Sequence, residues 1–185
     1  QELTAAFGQP IAENPTQAMV EAAYRHHGLD WRYLTVEVAP EDLKAAVEGA
    51  RAMGFRGFNC TIPHKIAVIP LLDGLEPSAE ISGACNTVVR QPDGRLIGSN
   101  TDGSGFVWSI RDEGIDPAGL DVVILGAGGA ARAVAVSLGL AGAKRVTIAN
   151  RTAPHRDELV GILDAKTEGE AAGLRWAGTL AVPRC

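Results

Sequence analysis

Three short stretches gather side chains that could act on a polar, oxygen-bearing small molecule. The first is Asn59-Cys60-Thr61-Ile62-Pro63-His64-Lys65. It offers an amide, a hydroxyl and an ammonium in close succession. Phe58, Cys60 and Ile62 alternate with Asn59 and Thr61 at period two, which predicts a strand. Pro63 has no backbone donor, so it should end the pairing and turn the chain toward His64 and Lys65. That puts the polar groups at the carboxyl end of a strand, where ligands settle in open α/β sheets. Lys65 could transfer a proton or hold a developing negative charge there. The second stretch, Gly83-Ala84-Cys85-Asn86, contributes an amide. The third, Asn100-Thr101-Asp102-Gly103, contributes a carboxylate that could cap a helix.

A fourth stretch suits a nucleotide. Gly126-Ala127-Gly128-Gly129-Ala130-Ala131 follows the apolar run 121–125, read as a buried strand, and precedes a helix over 132–141. It has the form G-x-G-x-x-A: one glycine for the tight turn, a second for close approach of a pyrophosphate, and small Ala131 for close helix packing. The next strand, 145–149, ends on Asn150-Arg151-Thr152, with Arg156 beyond. An acid at that tip would bond the ribose 2′-hydroxyl of NAD, whereas arginines favour a 2′-phosphate. The cofactor read from these residues is NADP.

The elements that must position these groups follow from pattern. A short strand over 5–8 leads to a helix started by Asn14 and Pro15, with Thr16 and Gln17 in its first turn. Its apolar stripe is read as Ala18, Met19, Ala22 and Ala23, and Gly28 stops it. A strand over 31–38, a helix over 41–53 and the strand carrying Asn59 complete a βαβαβ order. Short helices are expected over 66–72 and 79–83. Asp93-Gly94 marks a hairpin turn, a helix should cover 103–113, and a last helix and strand are read over 157–166 and from 174 to 177. The fold class is therefore α/β, a mainly parallel substrate domain over 1–102 followed by a linker over 103–117. A Rossmann-type NADP-binding domain over 118–185 closes the chain, and it is too short to be complete.

The totals agree. In 185 residues with 22 glycines the net charge is -5, which argues against broad nucleic-acid binding. No apolar run is long enough to span a membrane. Cys60, Cys85 and Cys185 form no C-x-x-C pair, which suits a reducing cytoplasm, and no metal-ligand spacing is present.

The first three stretches, in this order, resemble the N-x-T-x-P-x-K, G-A-x-N-T-V and N-T-D-G motifs of shikimate dehydrogenases. The resemblance implies NADP-dependent reduction of 3-dehydroshikimate, with Lys65 and Asp102 catalytic. Asn59, Thr61 and Asn86 would then touch the substrate, and Asn150-Arg151-Thr152 resembles the family's NADP loop. The chain departs from the family after the first strand. Two serines in an H-S-x-S-P motif usually hold the substrate carboxylate there, and this sequence has Glu13-Asn14-Pro15, so Asn14 and Thr16 are the candidates for that end. A quinate or amino-analogue dehydrogenase is thus an open alternative. So is a non-catalytic fragment, because the family's nicotinamide-side residues lie beyond Cys185. A monomer or homodimer is expected.

Overall fold

The computed structural model describes residues 1–176. They form two compact units, Gln1–Glu80 with Ala84–Ser99, and Ile81–Gly83 with Asn100 onward.

The first unit is built on a sheet of β1 (Glu2–Gly8), β2 (Trp31–Glu37), β3 (Gly57–Cys60), β4 (Gly74–Leu75), β5 (Thr87–Arg90) and β6 (Leu96–Ser99), in the order β2-β1-β3-β5-β6-β4. The β1–β2, β1–β3 and β4–β6 pairs are parallel, and β5 alone runs against its neighbours. The sheet is thus mainly parallel. The hairpin at Asp93-Gly94 reverses β5 into β6, as those turn residues require. Helices α1 (Thr16–His26) and α2 (Leu43–Ala52) follow β1 and β2. The one-turn α3 (His64–Ala67) and the short α4 (Pro77–Ser82) come after β3 and β4.

Central β1 is covered on both faces, which explains its small residues. Ala5 and Phe7 join Val47, Phe58, Val88 and Leu96 on one side, where the Phe7 and Phe58 rings stack at 4.8 Å. On the other side Ala6 meets Ile11 and Tyr33, beneath Val20 and Tyr24 of α1. This corrects the stripe expected for α1. Ala18, Met19, Ala22 and Ala23 all face outward, Met19 being 65% exposed, because a larger aliphatic residue and an aromatic ring one turn apart bury more area than alanines do. Two further expectations shift. The strand carrying Asn59 ends at Cys60 and leaves Ile62 exposed, and the predicted helix over 66–72 is α3 followed by a 3-10 turn, so that Lys65 lies within a helical turn.

The second unit holds α5 (Asp102–Asp112), β7 (Asp121–Leu125), α6 (Gly129–Leu140), β8 (Arg145–Asn150), α7 (Ala153–Lys166) and β9 (Glu170–Arg175). Its sheet is parallel, in the order β7-β8-β9. The core joins Ala135, Val136 and Leu138 of α6 to Val146 and Ile148 of β8 and to Leu159 and Leu163 of α7. Strand β7 is not buried as its composition suggests. Val122 and Ile124 pack inward, whereas Val123 and Leu125 are exposed, so only one of its faces is covered among the described residues. Strand β9 begins four residues earlier than read from sequence, and Ala177, expected in it, lies outside the described residues. No described helix is long and apolar enough to cross a membrane.

Candidate functional site

In the first unit the candidate residues collect where β1 and β3 end and β5 begins. Thr61 follows β3 directly, and its backbone N–H donates to the Phe7 carbonyl of β1 at 2.9 Å. Gly8 closes β1 beside it; a side chain at that position would fill the space of the Thr61 methyl group. The next turn closes when the His64 N–H donates to the Thr61 carbonyl at 2.8 Å, and α3 starts there. Lys65 is thereby lifted onto a helical turn, half-buried. Two backbone bonds stitch this turn to the Asn86 segment: the Cys85 N–H donates to the Lys65 carbonyl at 2.7 Å, and the Cys60 N–H donates to the Asn86 carbonyl at 2.9 Å.

Asn59 binds the cluster from below. Its Nδ2 donates to the Asn86 carbonyl and to Thr87 Oγ1, both at 3.0 Å, and its Oδ1 accepts from the Tyr33 hydroxyl at 2.7 Å. Thr87 Oγ1 in turn donates to Asn86 Oδ1 at 3.0 Å. Both amide hydrogens of Asn59 are therefore spent inside the protein, and only one oxygen lone pair is left for a ligand. Tyr33 and Thr87 went unnoticed in the sequence. Nothing local marks Tyr33, whose place beside Asn59 depends on β2 and β3 both pairing with β1.

Asn14 and Thr16 stand at the start of α1 and are absorbed by each other. Asn14 Oδ1 accepts from the Thr16 N–H at 2.9 Å and from Thr16 Oγ1 at 2.5 Å, an Asx-type cap. His64, flanking Lys65, is 1% exposed; its Nε2 donates to the Val38 carbonyl at 2.8 Å and its Nδ1 has no partner. The two buried thiols are poor nucleophiles. Burial pushes Cys60 upward, with Cys85 adding to it, and burial pushes Cys85 up to about 11.

In the second unit Asp102 opens α5, and its N–H donates to Oδ1 of buried Asn100 at 2.9 Å. Lys65 and Asp102 belong to different units. The nucleotide candidates sit at the carboxyl ends of β7 and β8. Gly126 has φ +106°, a conformation that L side chains rarely adopt, and its N–H donates to the Ala149 carbonyl at 2.8 Å. Gly128 caps α6 with an extended backbone, and a Cβ on it would meet no protein atom within 4 Å. Packing does not demand a glycine there; the bare backbone leaves room for something outside the chain. Ala127 is buried, whereas Gly129 and Ala130 open α6, whose first turn holds no acid. These features fit a pyrophosphate at a helix N-terminus.

Asn150 ends β8, and its Nδ2 donates to the Thr152 carbonyl at 2.9 Å, shaping the loop in which Arg151 is exposed and Thr152 caps α7. Arg156 is less free than its sequence position suggests, because its Nε donates to Asp157 Oδ1 at 2.7 Å. No sequence pattern marks Arg132 of α6, which is 4% exposed and makes a two-pronged bond to Glu158 of α7 at 2.6 and 2.9 Å. Among the described residues no group of three or more His, Cys, Asp or Glu could hold a metal ion.

Fold and loop geometry together define a two-unit α/β protein whose second unit is a Rossmann-type nucleotide module. Comparisons with known proteins narrow the class. Residues 6–88 match the shikimate dehydrogenase substrate binding domain, and residues 113–172 match the shikimate/quinate 5-dehydrogenase family. A shikimate dehydrogenase (NADP(+)) from Geobacter metallireducens is 51% identical over 155 residues, which cover 83% of this chain and 54% of that protein. Among solved structures, ligand-free 5-ketofructose reductase of a Gluconobacter species superposes with a TM-score of 0.86 at 49% identity, over 99% of this chain and 65% of that one. Shikimate 5-dehydrogenase from Listeria monocytogenes, in complex with shikimate and NAD, gives 0.87 at 37% identity, over 95% and 61%. The chain belongs to the shikimate dehydrogenase family. It spans about half the length of the curated relatives it matches.

Proposed function

We propose that this chain carries the substrate site and the adenosine side of the cofactor site of an NADP-dependent shikimate dehydrogenase, which reduces 3-dehydroshikimate to shikimate. The observation that carries the reading is the stitching of the Lys65 turn to Asn86, and of Asn86 to Asn59, at one end of the first unit's sheet. The joined segments carry an ammonium, two amides and the Thr61 hydroxyl, which supports the reading of one polar patch. Asn59, Thr61 and Asn86 would hold ring hydroxyls, and Asn14 and Thr16 the far end of the substrate. Lys65 would stabilise the forming alkoxide and give it a proton, with Asp102 orienting the ammonium. The loop of Gly126, Ala127, Gly128, Gly129 and Ala130 would cradle the pyrophosphate, while Asn150, Arg151, Thr152 and Arg156 face the 2′-phosphate. When bound, NADPH supplies the hydride. Residues 1–102 would act as the substrate domain and 118 onward as the cofactor domain, in a cytoplasmic monomer or homodimer.

One observation favours a second reading. Both donors of Thr16, the N–H and the hydroxyl, point back to Asn14, where the family places two serines for a carboxylate. A ketose without a carboxylate, such as the 5-ketofructose named for the Gluconobacter relative, needs no donor there. Comparing the two ketones as substrates with NADPH, alongside NADP and NAD titrations and a quinate oxidation control, decides the matter. Turnover of 3-dehydroshikimate over 5-ketofructose is expected. The reverse preference transfers the assignment to the ketose, and absence of NADP binding refutes both readings.

A further inference from the structure

At the carboxyl ends of β8 and β9 a cation lies beyond those the loop sequence reveals. In the parallel register Asn150 pairs with Arg175, so the last residue of β9 stands level with the first residue of the Asn150-Arg151-Thr152 loop. The path of Arg156 shows which way Arg175 faces. A Cβ on Gly173 would lie 2.9 Å from both Cδ and Nε of Arg156, so the Arg156 stem crosses β9 on the side that faces α7, in space that only a glycine leaves open. Side chains two apart on a strand share a face, and Arg175 therefore emerges on that same side, just past the Arg156 guanidinium. Asp157 neutralises Arg156. Among the described residues no carboxylate pairs with Arg151 or Arg175, and the first turn of α7 contains no acid.

We propose that Arg175 is a third cation of the 2′-phosphate pocket, completing a cradle with Arg151 and Arg156, and that Gly173 is the residue that admits Arg156 to it. This rests on the NADP reading above. It assigns to the end of β9 a share in discriminating between the two nicotinamide dinucleotides, and the ligand group it recognises is a phosphomonoester on a ribose. Three guanidinium groups can surround such a group with charge-assisted bonds, whereas a 2′-hydroxyl gains little from them.

Calorimetric titration of the 185-residue chain with NADP, NAD, 2′,5′-ADP and 5′-AMP tests the assignment. Arg175→Gln is expected to weaken NADP and 2′,5′-ADP about tenfold while leaving NAD and 5′-AMP unchanged, and Arg175→Lys to recover part of the loss. Gly173→Ala should weaken the same two ligands by displacing Arg156. Unchanged NADP affinity in Arg175→Gln overturns the role of Arg175 and leaves the NADP reading standing. Equal weakening of all four ligands marks a structural effect and also overturns it. A wild-type chain with no preference for NADP over NAD refutes the NADP reading, and this proposal with it.

Discussion

Backbone bonds hold the turn that carries Lys65. The turn is closed by the His64 N–H and tied to Cys85 through the Lys65 carbonyl, and these two backbone bonds persist when the side chain is replaced. This makes a clean division of its roles possible. Arginine keeps the charge but does not release a proton at working pH. If Lys65 acts by proton transfer, Lys65→Arg should lower kcat for 3-dehydroshikimate reduction about as far as Lys65→Ala, on the order of 10²–10⁴-fold, with little change in KM. Substantial activity retained in Lys65→Arg would instead identify an electrostatic clamp. Asn59 shows how far residue type alone can be read. Its motif advertises a ligand contact, yet both of its amide hydrogens serve the protein, because β3 and β5 bring Thr87 and the Asn86 carbonyl within reach. The type of bond was legible in the sequence, but the partner was not.

Among the elements, α5 and α6 come into close contact at Gly103. A Cβ there would collide with the Ala133 carbonyl and with Ser137 Oγ of α6, whereas one on Gly105, two residues along α5, would meet nothing within 4 Å. Gly103→Ala should therefore destabilise the fold by roughly 1–3 kcal/mol, and Gly105→Ala should stabilise it by about 0.4–1 kcal/mol, as read from urea unfolding. Equal effects would show that the helices part freely at that crossing. The sequence marked Gly103 as part of a motif, but its packing role depends on which helix lies across it. The link from α6 to α7 is of the same kind. Arg132 reads as an ordinary helical residue next to the glycine loop until α7 brings Glu158 against it, so that the helix following the glycine loop is tied to the helix following the Asn150-Arg151-Thr152 loop.

Taken as a whole, the molecule relies on arginine–carboxylate pairs that set its response to acid. Hydrogen bonds from Arg132 hold Glu158 below its ordinary 4.5, Arg56 does the same for Glu2 and Arg95 for Asp93, and Asp73 is held down first by the Leu96 N–H and then by Arg51. Below these ordinary values the unfolded chain binds more protons than the folded one. The stability contributed by the pairs is thus complete above about pH 4.5 and is lost as pH falls through the lowered values. Glu158→Gln should cost about 1–2 kcal/mol near neutrality, a figure reduced because Glu158 is largely exposed, and its stability should fall less steeply than that of wild type between pH 5 and 3 in denaturant titrations. Parallel curves would remove the pair from the acid response. Cys85 acts in the opposite direction: its buried thiol favours the protonated folded state, so stability should decline as pH rises from 9.0 toward about 11.

Much of this protein was settled by local chemistry along the chain. The order of strands and helices, the glycine turn before α6, the hairpin at Asp93-Gly94 and the polar motifs around Asn59, Asn86 and Asp102 all depend on neighbours a few residues apart. Pairing between distant strands decided the rest. It turned α1 onto Val20 and Tyr24, left one side of β7 uncovered, engaged Asn59 with Tyr33, buried Arg132 against Glu158 and set Arg175 level with Asn150. Each of these turns on which face of an element meets the core, and that is fixed by contacts between segments far apart in the chain, which no local pattern encodes.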